Sequence, residues 1–299
     1  MAYLRDRRAF GNIGTRKFRG ARFGDPLSPR FSGLLDQYGG AAAAYSLRAL
    51  SSGWLAGDVV EVRRDVDGGG DIHKDFTASD ITSGAMLTWV TEFSGTANGL
   101  VSKWYDQSGN DNNATQGSTT MQPKIVSTGA LVVGGLDFDG VDDLLSTASL
   151  LDNLSAITAF SVANFDGTGT ADRLWGSKET GRSDDNISLL FLTNAMAFKL
   201  DNGTSSIANS SVQASGVDFL SYINYDGATL SSAVDGGTSG TTARASFVTN
   251  CDAFEIGLVS STGSTAWDGR VAEIIIYASD QSANRAAIET NINAAYSIF

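Results

Sequence analysis

Cysteine, histidine and proline are nearly missing from this chain: its 299 residues include one Cys, one His and three Pro. The single cysteine, Cys251, excludes an intramolecular disulfide and any cysteine-based metal cluster. Its setting, Asn250-Cys251-Asp252-Ala253-Phe254, reads as the start of a strand with a buried, inert thiol. His73 is the only histidine, so no His/Cys metal cluster and no Ser-His-Asp triad can be argued; a solvated or locally bonded imidazole is expected. No apolar run approaches the ~20 residues of a membrane span. The N-terminus has charges but lacks the apolar stretch of a secretory signal, and a soluble protein is expected. Walker and Rossmann glycine motifs are also missing; the glycines mark turns instead. Charged residues make up only 18% of the chain, so Ser, Thr, Asn and Gly must cover much of the surface.

The charge that is present is unevenly spread. Residues 1–30 hold eight basic and two acidic residues, a net +6, and the remainder therefore carries −18 of the overall −12. An acidic body disfavours nucleic acid as a partner. A basic leader on such a body points to a partner of its own. Residues 1–35 read as an extended docking arm with too little apolar content for a core. In it Arg5, Arg7, Arg8, Arg16, Lys17, Arg19 and Arg22 supply steering charge, and Phe10, Phe18 and Phe23 supply anchors.

Residues 36–299 read differently. Asp58–Arg64 alternates apolar and polar residues like a half-buried strand. Asp80–Phe93 fits one short amphipathic helix, with Asp80 as cap and Ile81, Met86, Trp89, Val90 and Phe93 mainly on one face. Strand composition then recurs at Leu100–Tyr105, Leu136–Phe138, Ala156–Asn164, Ile187–Leu192, Ala195–Leu200, Phe219–Tyr225, Thr229–Val234, Phe254–Val259 and Val271–Tyr277. Asp-Gly and Asn-Gly turns punctuate these runs, and Asp226-Gly227 marks the clearest hairpin. A final helix is expected over Ser282–Ser297, with Ile288, Ile292 and Tyr296 at helical spacing. The pattern is all-β: an antiparallel sandwich or barrel with one internal and one C-terminal helix.

One stretch is far more specific. Trp104-Tyr105-Asp106-Gln107-Ser108-Gly109-Asn110 leads through Gln122-Pro123-Lys124-Ile125 to Leu136-Asp137-Phe138-Asp139-Gly140-Val141-Asp142-Asp143. This series resembles the signature of concanavalin A-like (laminin-G-like) jelly-roll domains. Its Tyr-Asp-Gln-Ser-Gly-Asn core is similar to the catalytic domain of the α-L-arabinofuranosidase B family, as is Trp267-Asp268-Gly269-Arg270 with the strand that follows. Together with Tyr45-Ser46-Leu47-Arg48, the pattern also resembles domains of phage virion proteins: fibres, spikes and capsid decorations. The resemblance implies a concanavalin A-like β-sandwich over roughly residues 35–299. The arabinofuranosidase family carries disulfides that one cysteine cannot form, so no catalytic residue is carried over.

These observations lead to an expectation of a non-enzymatic virion protein, docked through residues 1–30 to capsid or tail proteins and self-associating, with a trimer as the first state to test. The alternative is a secreted carbohydrate-binding or arabinofuranosidase-like hydrolase domain. Three kinds of site are candidates. Calcium, a hard cation that takes oxygen ligands, would find them at Asp106, Asn110, Asp111 and Asp139, with Asp142 and Asp143 close by in sequence. A host glycan would meet Trp175 and Trp267 with Asp184, Asp185 and Asn186. A glycosidase needs two carboxyls; of six glutamates, Glu179 lies nearest a loop, whereas Glu61 and Glu273 fall within strands and Glu289 on the final helix.

Overall fold

The computed structural model describes residues 31–65, 72–167, 171–179, 187–192, 195–201, 203–245, 247–258 and 266–299. The docking-arm residues Arg5, Arg7, Arg8, Phe10, Arg16, Lys17, Phe18, Arg19, Arg22 and Phe23 lie outside them, as do Asp184, Asp185 and Asn186. Within the described residues the chain is an antiparallel β-sandwich: all strand pairings run antiparallel.

One layer is centred on Ile157–Phe165, which pairs with Asp218–Tyr225 on one side and Asp268–Tyr277 on the other. Strand β1 (Ala43–Ser46) extends this layer beside Asp268–Tyr277. The second layer contains β2 (Asp58–Arg64), β3 (Ile72–Thr77) and β4 (Gly99–Trp104), and continues through short strands to Asp172–Lys178, Ile187–Leu192 and Ala195–Asp201. Leu136–Asp139 bridges the layers by pairing with Asp268–Val271 and with Lys124.

The apolar pattern explains this arrangement. Ile157–Phe165 is buried at all nine positions rather than alternately. A strand reads that way when both of its faces are covered. Its inner face joins the main core with Trp175, Phe191, Phe198 and Trp267. Its outer face, through Phe160 and Val162, packs with Leu220, Ile275, Ile288 and Ile292 beneath the C-terminal helix Arg285–Tyr296. The final helix therefore falls where its periodicity placed it.

The internal helix does not. Residues 78–90 form two short helices, Ala78–Thr82 and Ala85–Val90, separated at Ser83-Gly84. Gly84 adopts φ +79, a left-handed conformation that ends the first helix. Thr77, not Asp80, is the N-cap; Asp80 completes a capping box by accepting from the Thr77 amide at 2.9 Å. Met86 and Val90 are buried, but Phe93 is 66% exposed. Phe93 lies instead against the Arg64 guanidinium, which is sandwiched 4.3 Å from its ring centroid and 4.4 Å from that of Trp89.

Candidate functional site

The residues of the specific sequence stretch form a structural knot. Asp106 is buried, and both of its carboxylate oxygens are engaged. Oδ1 accepts from the backbone amides of Ala44 and Ser108, and Oδ2 accepts from the Ser108 hydroxyl and the Asn112 amide, all at 2.7–3.0 Å. Gln107 accepts from the Leu50 amide and donates to the carbonyls of Ser46 and Arg48. Asn110 donates to the carbonyl of Ala41, and Asp111 accepts from the Asn113 amide group. The loop thus ties down residues 41–50, the segment that carries β1. Of the candidate calcium ligands, Asp106, Asn110 and Asp111 hydrogen-bond to the backbone and to neighbouring side chains. Asp139, another candidate, lies with Asp142 and Asp143 in a group whose carboxylate oxygens are all within 4.8 Å of one another, close enough to share a cation. Burial and the neighbouring Asp139 carboxylate push Asp143 up to about 7.

The glycan platform is corrected as well. Trp175 and Trp267 are fully buried. Trp175 packs on Phe254 and donates its indole N–H to Ser161; Trp267 packs among Phe165, Phe191 and Phe219. Neither offers a face to a sugar. Glu179 accepts from the side chain of Asn250, and Glu273 is buried against Arg48.

The open polar site lies over β2, β3 and β4. It is a cleft of about 320 Å³ lined by Glu61, His73, Ser102, Lys103, Thr115, Gln116, Gly117, Thr119 and Gln122. Glu61 on β2 stands directly opposite Asp75 on β3 and Lys103 on β4. The Ser102 hydroxyl donates to Glu61 Oε1 at 2.7 Å, and His73 Nδ1 lies 3.3 Å from the same oxygen. Lys103 Nζ is 3.7 Å from Glu61 Oε2 and donates to the Tyr105 hydroxyl at 3.4 Å. Tyr105 in turn donates to Asp75 Oδ1 at 2.7 Å. A short polar chain therefore connects the two opposed carboxylates.

The electrostatics separate the acids. Partial burial raises Glu61, but the Ser102 hydrogen bond, Lys103 and His73 outweigh it and hold the carboxyl below its ordinary range. Asp58, at the start of β2, is pushed up by burial and by the carboxylates of Asp75 and Asp80. Burial and the Asp75 hydrogen bond raise Tyr105, which stays a neutral donor. The sequence reading passed over this site because the run Ile72-His73-Lys74-Asp75-Phe76-Thr77 is too polar to register as a strand. Without β3, Glu61 has no visible partner. The outward position of Glu61 in Asp58–Arg64 was the one available signal.

No protein-family model matches the chain, and no curated protein matches it. Solved structures do. A GH54 α-L-arabinofuranosidase soaked with a cyclic sulfate inhibitor matches with a TM-score of 0.63 and 16% identity over 85% of this chain and 63% of that one. A mutant GH54 α-L-arabinofuranosidase soaked with 4-nitrophenyl α-L-arabinofuranoside gives the same values. An arabinofuranosidase complexed with arabinofuranosyl-α-1,2-xylobiose matches at 0.56 and 17%, over 85% and 62%. The chain thus spans less than two thirds of the length of these relatives. None of the three is a virion protein. The expectation of a non-enzyme is corrected by these matches, since all three of these structures sharing the fold over most of the chain are glycoside hydrolases. At this level of identity, what is shared with the arabinofuranosidases is the β-sandwich itself.

Proposed function

We propose that this domain acts on carbohydrate as a glycoside hydrolase, with the Glu61 cleft as its saccharide site and arabinofuranosyl groups as the first substrate class to test. The observation that carries the reading is Glu61, a carboxylate that lines an open polar cleft and stands opposite Asp75 on the adjacent strand, just outside the lining. Opposed residues on antiparallel strands hold their Cβ atoms about 4.5–5.5 Å apart. Glycosidases work with two carboxyls about 5–9.5 Å apart. In this reading Glu61 is one carboxyl of the pair and Asp75 the other, held by the hydrogen bond it accepts from Tyr105. The choice of arabinofuranosides rests on the substrates and inhibitors of the solved neighbours.

The test is incubation of the full chain with 4-nitrophenyl α-L-arabinofuranoside and with arabinoxylan oligosaccharides, following nitrophenol and arabinose. Release is expected, with E61Q and D75N each slower by at least about 100-fold. No release from either substrate, or undiminished release by both variants, overturns the reading.

The charge split supports a second, separable proposal: residues 1–30 attach the domain to a larger assembly, a phage particle being one setting. Deleting them is expected to abolish co-purification with particles while leaving hydrolysis unchanged. Retention on particles without them overturns it.

A further inference from the structure

The β2–β4 ladder contains an irregularity at the cleft. Glu61 faces Lys103, but Val62 faces Val101, so Ser102 is an extra residue with no opposite number. In a regular strand, consecutive side chains point to opposite faces. Here both Ser102 and Lys103 line the cleft. The bulge turns Ser102 towards Glu61, as β-bulges beside functional sites re-aim single side chains.

Ser102 is 6% exposed, and its hydroxyl has three neighbours. Glu61 Oε1 is at 2.7 Å, His73 Nδ1 at 3.0 Å and the Glu61 carbonyl at 3.2 Å. A hydroxyl has one proton and two acceptor sites. With the proton given to the carboxylate at the shortest distance, its lone pairs face His73, whose Nδ1 then carries hydrogen. The Glu61 carboxylate is thereby held by a donor with almost no freedom to move.

Building on the reading of Glu61 as a working carboxylate, we propose that Ser102 is its positioning residue: the bulge places one hydroxyl that orients Glu61 in the cleft. The other charged or titratable groups facing Glu61 are Lys103 on β4, His73 and Asp75 on β3, and Tyr105. Loss of the Ser102 hydroxyl removes one of the contacts of His73 Nδ1 but none of these groups themselves.

The experiment follows the Glu61 carboxyl by ¹³C NMR across pH in the full chain, with E61Q identifying its signal. S102A is expected to move the titration midpoint up by about one pH unit, and S102T, which keeps the hydroxyl, to leave it unmoved. The acid limb of the kcat/KM profile should shift with the midpoint in S102A and return in S102T. An unmoved midpoint in S102A, or a shift in S102T equal to that in S102A, overturns the assignment whether or not the chosen glycosides are cleaved. If E61Q hydrolyses at the wild-type rate, the Glu61 reading falls, and a catalytic purpose for Ser102 falls with it.

Discussion

At the scale of single residues, two buried aspartates behave in opposite ways. Asp106 is surrounded by donors, four of which end on its carboxylate. Removing it strands the buried amide of Ala44 on β1 and the half-buried amides of Ser108 and Asn112 in its own loop, each costing up to about 1–3 kcal/mol when left unpaired. D106A is therefore expected to lose about 3 kcal/mol or more in urea denaturation, with D106N intermediate. Asp143 is surrounded by acids, and its carboxyl rises to about 7 in the folded state. An unfolded carboxyl titrates near 4, so the folded chain binds this proton more tightly. Its contribution to stability is complete below about pH 4 and is lost as pH rises through 7, up to about 4 kcal/mol in all. D143N should abolish that slope and be the more stable protein at pH 8 but not at pH 4. Urea melts at those two values check it.

At the scale of elements, β1, the strand Asp268–Tyr277 and the C-terminal helix meet at one buried ion pair. Glu273 accepts from Arg48 at 2.8 and 2.9 Å, from Ser46 at 2.8 Å and from Tyr296 at 3.1 Å. Its side chain is 1% exposed. Taking away Arg48 leaves a carboxylate buried without its counter-charge, so R48M is expected to cost about 3–5 kcal/mol. The double variant R48M/E273L should recover most of that loss, and calorimetry of both variants decides it. Glu273 was visible in sequence only as a charge interrupting Val271-Ala272-Glu273-Ile274-Ile275-Ile276-Tyr277. Its partner lies 225 residues away, a distance that no local pattern encodes.

At the scale of the whole molecule, two apolar clusters share the first sheet layer, one between the layers and one beneath the final helix. Among the described residues both draw on Leu34 and later positions, and residues 1–30 have too little apolar content for a core of their own. Removal of residues 1–30 is accordingly expected to leave the melting temperature within about 2 °C, since losing 1 kcal/mol moves a chain of this size by about that much. It should also make the protein markedly more retained on an anion exchanger, because the remainder carries −18. A large fall in melting temperature would mean that the leader contributes to folding.

Local chemistry determined much of this protein. Asp58–Arg64, Ile187–Leu192 and Thr229–Val234 are strands with the bounds their composition implies, and Ile288 and Ile292 are buried as their spacing requires. The Trp104–Asn110 stretch identified the sandwich because its loop needs those side chains to satisfy its own backbone. Tertiary structure alone decided where the aromatic and acidic residues ended up. Trp175 and Trp267 went to the core because two sheet layers close over them. Glu61 became a candidate site because a polar strand brought Asp75 and His73 beside it, and a skipped pairing turned Ser102 the same way. Register across strands is a property of pairs, and a single strand's sequence does not contain it.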